Sequence, residues 1–188
     1  MAQETMIAFL VAPEGIEQVE LADPWQAVQQ AGGTPQLLAA APGGRKVDKV
    51  RAFHHLDPAD TFDVDLPVSE ADPAAYAGLV LPGGVANADF LRMDPDAVEF
   101  VRAFARAGKP IAAICHAPWA LVEADVVRGK TMTSFPSLAT DIRNAGATWV
   151  DQEVVFSDAG GYPLVTSRKP DDLPAFNREA LRIFGLAG

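Results

Sequence analysis

The strongest constraint on the fold is a regular alternation of short apolar runs with longer helical stretches. Residues 5–12 (TMIAFLVA), 76–84 (YAGLVLPGG) and 110–115 (PIAAIC) carry no charge and are bounded by glycine, proline or a turn. Such runs are typical of strands that are buried on both faces of a sheet. Residues 17–32 and 94–107 lie between them and have helical patterns. Strands that alternate with helices predict a mainly parallel sheet with helices on both faces.

The remaining segments continue this alternation. They are a strand at 35–41, a hairpin within 42–65, helices at 116–124 and 137–145, strands near 149–157 and 164–167, and a last helix over 170–184. We find no internal repeat and no linker that would divide the chain. A single domain over residues 1–188 is therefore expected, and 188 residues are enough to bury a core.

Charge and composition exclude several classes of protein. The formal net charge is −10, and the 25 acids and 15 bases are interspersed. No long run of bases is present, which argues against strong binding to nucleic acid. The first apolar run has no basic region before it and is too short to cross a membrane. A single cysteine cannot form an internal disulfide. These features predict a cytoplasmic protein that binds no membrane.

The single cysteine stands at a place where chemistry is often found. Cys115 ends the run PIAAIC and is followed at once by HAPWALVEA, which turns into a helix. A residue at such a turn is exposed to ligands at the carboxyl edge of the sheet, where sites in these folds form. Amides at the start of the helix stabilise a thiolate and can hold an oxyanion. The alternative is a small buried thiol at the end of a core strand.

Three kinds of neighbour could act on the thiol. His116 could pair with Cys115 as a base. Glu17, just after the first strand, could share a proton with it, and Glu14 and Glu20 compete for the same role. The alternative for each acid is a solvated carboxylate in the first helical turn.

The double glycine Gly83–Gly84 ends the third buried strand, where glycine lets a backbone amide approach a ligand closely. Neither of the glycine-rich nucleotide-binding patterns is present. We interpret the pair as an oxyanion donor that faces Cys115, with a plain tight turn as the alternative. His54 and His55 are adjacent in a predicted strand and face opposite sides, so no metal site and no cofactor are expected.

Four stretches resemble one known family. They are LVLPGG, GKPIAAICHAPWAL, RGKTMTSFPSLATDIRNAGATWVDQEVV and SRKPDDLPAFNREAL, which are similar to the ThiJ/PfpI superfamily, and most to its PfpI branch of bacterial general stress proteins and intracellular proteases. The resemblance implies a flavodoxin-like three-layer α/β/α sandwich, a homodimer and a reactive, easily oxidised cysteine at Cys115.

The same resemblance implies roles for the neighbouring residues. Glu17 would contact the thiol, and the amides of Gly84 and His116 would hold an oxyanion. In the PfpI branch His116 would complete a Cys–His–acid arrangement, with the acid supplied by the loop after PGG of the neighbouring subunit. Proteolytic members carry a glutamate there, whereas this chain has VANADF, so the nearest acid is the shorter Asp89.

The function implied is that of a cysteine-dependent hydrolase or lyase. Its substrates would be small reactive carbonyls or their adducts, as in glyoxalases and deglycases, or peptides. The alternative is an oxidative-stress sensor without turnover, in which Cys115 is oxidised to the sulfenic or sulfinic acid. Both interpretations predict that the Cys115 thiol is ionised near neutral pH.

Overall fold

A computed structural model describes residues 5–186. Residues 1–4, at the start of the N-terminal stretch, and residues 187–188, at the end of the predicted domain, lie outside the described residues. The strands are β1 (Met6–Val11), β2 (Glu14–Glu17), β3 (Thr34–Ala39), β4 (Lys49–His54), β5 (Asp57–Asp63), β6 (Leu66–Pro67), β7 (Gly78–Leu81), β8 (Ile111–Ile114), β9 (Thr131–Met132), β10 (Thr148–Trp149), β11 (Val154–Ser157) and β12 (Leu164–Ser167). The helices are α1 (Gln18–Gln30), α2 (Val85–Met93), α3 (Pro95–Arg106), α4 (Pro118–Glu123), α5 (Ala139–Asn144) and α6 (Leu173–Ile183).

Seven of these strands form the central sheet in the order β11–β12–β8–β7–β1–β3–β6. Neighbouring strands are parallel except for the pair β11 and β12. The expected mainly parallel sheet is therefore confirmed. The carboxyl ends of β1, β7 and β8, which are adjacent, bring the segments after Val11, Leu81 and Ile114 to one edge of the sheet.

Side chains that alternate along the strands fill two separate cores. Leu10 and Leu81 lie in a core with α3, α4 and α5, whereas Phe9 and Val80 lie in a core with α1 and α6. Alternate residues of a strand face opposite sides of a sheet, so the sheet is covered by helices on both faces. The result is the flavodoxin-like α/β/α sandwich that the resemblance implied.

A small second sheet, β2–β4–β5, stands beside the main one. Strands β4 and β5 are antiparallel, which confirms the hairpin predicted within residues 42–65. Strand β2 was not predicted; its last residue, Glu17, is the residue at which the sequence indicated the start of α1. The predicted strand near 149–157 is instead two short strands, of which β10 pairs with β9 and β11 with β12.

Helix α2 is a further element that the sequence analysis missed. It begins directly after Gly84, which has a φ of 98° and no side chain to cap the helix. The signal for a turn was correct, but the turn leads into a helix and not into a loop. Within the described residues, none of the helices combines the length and the apolar character needed to cross a bilayer.

Candidate active site

Cys115 is held in an unusual backbone conformation between β8 and α4. Its φ is 64°, in the left-handed region that residues with a side chain seldom adopt. Two hydrogen bonds hold it there: its amide donates to the Ser167 carbonyl at 3.0 Å, and its carbonyl accepts from the Phe135 amide at 2.9 Å. Strained residues of this kind persist where the surrounding structure fixes them, and they are concentrated at functional sites.

The acid beside the thiol is Glu20, and not Glu17 as predicted. Glu20 is completely buried in the first turn of α1. Burial, and after it the charge of Glu17, raise the pKa of Glu20 from 4.5 to about 8, against smaller opposing contributions from the Cys115 thiol and the Gly83 backbone. Within the described residues, neither carboxyl oxygen of Glu20 makes a hydrogen bond of ordinary geometry. Its carboxyl group is thus buried against the thiol without a fixed partner.

Glu17 has a different structural role from Glu20, because α1 begins one residue after Glu17. It ends β2 in an extended conformation, and its carboxylate accepts a hydrogen bond from the His55 amide at 3.0 Å. It therefore holds the tip of the β4–β5 hairpin, while Glu20, nearly one helical turn further on, faces inward. Glu14, the third candidate acid, is exposed.

The double glycine makes room for this pair. A Cβ on Gly83 would collide with the Glu20 carboxyl and would lie 2.6 Å from the Cβ of Cys115. A Cβ on Gly84 would collide with the Gly15 carbonyl and would lie 2.8 Å from the Glu17 amide. Real Cβ contacts are longer than these distances, so side chains at either position would displace the site.

The thiol is less acidic than predicted. Burial, and then the charge of Glu20, raise the pKa of Cys115, whereas the backbone amides of Gly84 and His116 act in the opposite direction. This direction is opposite to the one that a thiol ionised near neutral pH requires. The two amides do face the Cys115 sulfur.

The His116 side chain lies against the sulfur. Its Nδ1 is 3.1 Å from the Cys115 Sγ, and its Nε2 is 3.4 Å from the hydroxyl of Ser137. The ring stacks on Phe135 at a centroid distance of 4.7 Å. Burial lowers the pKa of His116 from its usual value of 6.5 and so favours the neutral imidazole. No sequence pattern indicated Ser137, which comes close because residues 133–138 fold back over Cys115.

These groups open into a pocket of about 1130 Å³. Glu20, Cys115, His116 and Gly84 line its base, and Asp89 lies on its wall, exposed on α2. The rest of the lining is largely apolar and includes Phe53, Leu56, Val85, Phe90, Trp119 and Phe135. In the described part of the chain, no group of three or more His, Cys, Asp or Glu side chains is placed to hold a metal ion. The pocket thus combines a thiol, a protonatable acid and an imidazole with a mostly apolar cavity.

Comparison with known proteins identifies the family. The model of the DJ-1/PfpI family matches residues 5–183. The chain belongs to the DJ-1/PfpI family. One DJ-1/PfpI relative, "Protein/nucleic acid deglycase 2" of Escherichia coli K12, is 50% identical over 65% of this chain and 69% of its own length. Another, "Putative cysteine protease YraA" of Bacillus subtilis 168, is 36% identical over 94% of this chain and 96% of its own.

A solved DJ-1/PfpI structure agrees with the fold. It is a two-domain protein of Anabaena variabilis that contains a DJ-1/ThiJ/PfpI-like and a ferritin-like domain. Its TM-score is 0.85 at 31% identity, over 97% of this chain and 48% of that protein. This chain therefore spans about half the length of that two-domain protein.

Proposed function

We propose that the protein is a cysteine-dependent enzyme that converts small α-oxoaldehydes, or their adducts on amino groups, into 2-hydroxy acids. The observation that carries this proposal is the placement of the Cys115 sulfur among three kinds of group. They are the buried carboxyl of Glu20, the imidazole of His116 and the backbone amides of Gly84 and His116. The relatives named as deglycases support the same class of substrate.

The reaction can be written with these groups alone. The Glu20 carboxylate takes the thiol proton while the sulfur forms a bond to the aldehyde carbon. The aldehyde oxygen becomes an alkoxide that the amides of Gly84 and His116 stabilise, and it then receives the proton. This gives a hemithioacetal on Cys115.

The second stage transfers hydrogen within the substrate. His116 removes the proton from the former aldehyde carbon, and the neighbouring carbonyl carbon receives a proton. The hydroxyl proton on the first carbon passes to the oxygen of the second, so the first carbon is oxidised to the thioester carbonyl and the second is reduced to an alcohol. The product is a thioester of the 2-hydroxy acid, and one water hydrolyses it and restores the thiol. Methylglyoxal and one water thus give lactic acid without an external oxidant. In an amine adduct the first carbon carries a hydroxyl and the amine. The sulfur then displaces the amine, which leaves with the thiol proton, and the same hemithioacetal forms.

The raised pKa of the thiol counts more against the oxidation sensor than against this proposal, although both interpretations expected an ionised thiol. Peroxide oxidises the thiolate, and here burial and Glu20 favour the thiol. The Cys115 side chain is also only 8% exposed. A thiol that loses its proton only when a base removes it during attack suits an enzyme better than a sensor.

The decisive experiment measures the turnover of methylglyoxal by reduced protein, purified without oxygen, and by Cys115→Ala. We expect lactate from the wild type and a loss of at least about a thousandfold in kcat/KM in the variant, because the nucleophile is absent. Cys115→Ala, purified identically, also controls for contaminating enzymes. Equal turnover by the two proteins, or none by the wild type, would overturn the proposal.

A further inference from the structure

A second pocket of about 520 Å³ lies beside the candidate active site. Its lining includes three bases from a single stretch of chain, namely Arg45, Lys49 and Arg51. Glu14 and Phe90 line both this pocket and the one that contains Cys115, so the two cavities share a wall. We call the smaller cavity the basic pocket.

Two of the three bases are unpaired, which is unusual in this protein. Every other lysine and arginine within residues 5–186 makes an ion pair, a side-chain hydrogen bond or a cation–π contact, as Lys49 does with Asp63 at 2.7 Å. Arg45 and Arg51 make none, although the chain has more acids than bases. Arg51 lies opposite Glu14 in the register of β2 and β4 without forming an ion pair with it.

Unpaired arginines in a cavity are suited to one class of ligand. The guanidinium group presents planar pairs of N–H donors that match a phosphate group, and such contacts are stronger than those between neutral groups. The formal charge of −10 repels anions over most of the molecule, so a local cluster of bases also guides an anion to this place. Glu14 is the one carboxylate of the lining and leaves the cluster net positive.

We propose that the basic pocket binds the phosphate group of a substrate whose carbonyl group lies in the adjoining pocket that contains Cys115. The substrate class is thus a phosphate-bearing α-oxoaldehyde, and in this respect the proposal rests on the proposed function. Arg45 and Arg51 hold the phosphate. Phe90, which lines both cavities, lies beside the part of the ligand that joins the phosphate to the carbonyl group.

The kinetic test compares hydroxypyruvaldehyde phosphate with hydroxypyruvaldehyde, which lacks only the phosphate. In the wild type we expect a KM about tenfold or more lower for the phosphorylated compound. Arg45→Gln/Arg51→Gln should abolish that preference by raising the KM for the phosphorylated compound at least about tenfold. Lys46→Gln is the matched control, since Lys46 is adjacent in sequence but pairs with Glu70 and does not line the pocket. All assays are run at one ionic strength, because salt screens exposed charges.

A binding measurement separates this proposal from the proposed function. Calorimetric titration of inorganic phosphate into the Cys115→Ser protein should show binding that Arg45→Gln/Arg51→Gln weakens at least about tenfold and Lys46→Gln does not. Arginine-dependent binding without aldehyde turnover would overturn the reaction and leave the phosphate site standing. Equal KM values for the two aldehydes, or phosphate binding that does not depend on the arginines, would overturn the phosphate site.

Discussion

Glu20 carries the buried carboxyl group on which the chemistry of the site depends. Its pKa is raised from 4.5 to about 8, first by burial. Between these two values the folded protein keeps a proton that the unfolded chain has lost, so Glu20 makes the folded state progressively less stable as the pH rises from about 4.5 to about 8. A shift of this size corresponds to roughly 4–5 kcal/mol.

We therefore expect Glu20→Gln to become more stable than the wild type as the pH rises. Urea unfolding at pH 5, 6.5 and 8.5 would measure the difference, which should be small at pH 5 and reach several kcal/mol at pH 8.5. Glu153→Gln, at an exposed position, is the control and should follow the wild type. If the difference in unfolding free energy between wild type and Glu20→Gln were the same at all three pH values, Glu20 would ionise in the folded protein as it does in water.

The same ionisation should govern the rate. Glu20 can accept the thiol proton only as a carboxylate, so kcat/KM for methylglyoxal should rise with pH through about 8 and then level off. Glu20→Gln should lose that rise. An identical profile in the two proteins would remove Glu20 from the proton transfer.

The residues of the site were predictable to different degrees. Cys115 and His116 adjoin in sequence at the end of a strand, so their proximity followed from topology. The choice between Glu17 and Glu20 depended on where α1 begins, because a shift of three residues along a helix keeps nearly the same face. The strand β2, which the sequence did not reveal, occupies Glu17 and leaves Glu20 to face the thiol.

Helix α2 is the element that positions one side of the site, and Asn87 anchors it. The Asn87 Oδ1 accepts from the Ala12 amide at 2.7 Å, and its Nδ2 donates to the carbonyls of Pro82 and Gly83 at 2.9 and 3.1 Å. The side chain is fully buried. It thus joins the end of β1, the double-glycine turn and the first turn of α2.

Asn87→Ala should therefore destabilise the protein by about 2–4 kcal/mol, because buried backbone groups lose their partners. Urea unfolding at pH 7 would measure the change. Asn144→Ala, exposed on α5, is the control and should change the stability by no more than about 0.5 kcal/mol. If Asn87→Ala lowered the free energy of unfolding by no more than the control does, packing alone would hold α2 in place.

The main elements could be predicted because long apolar runs and capped helices carry their own signals. Asp94, for example, accepts hydrogen bonds from the amides of Asp96 and Ala97 at the start of α3, as its sequence position indicates. Helix α2 and strand β2 carry no such signal. Contacts distant in sequence stabilise them, such as Asn87 with Ala12 and β2 with β4, so local pattern could not reveal them.

At the scale of the whole molecule, the interspersed charges concealed a local cluster. Arg45, Lys49 and Arg51 are separated by other residues in the sequence, so no basic surface was predicted. In the fold, however, they line one pocket.

A second feature at this scale is the apolar rim of the pocket that contains Cys115. Leu56 and Val85 are 79% and 55% exposed there. Exposed apolar groups beside a site are typical of an interface, and the homodimer that the sequence resemblance implies stays a prediction that this rim would fit.

The expected dimer allows a test of where the acid beside His116 originates. Within one chain, the polar atom next to the His116 Nε2 is the Ser137 hydroxyl, while Asp89 lies on the exposed face of α2. If Asp89 acts on the His116 of the neighbouring subunit, Asp89→Asn and Cys115→Ala should each be nearly inactive, but mixed dimers should contain one complete site.

Unfolding and refolding the two variants together in equal amounts gives mixed dimers in about half of the molecules, so about a quarter of the wild-type activity should return. The mass of the assembly, measured by sedimentation, confirms that dimers have formed. If Asp89 acts within its own chain, the mixture should have only the average activity of the two variants, because every site with an intact thiol then lacks its acid. A monomeric wild type would exclude the arrangement between subunits altogether.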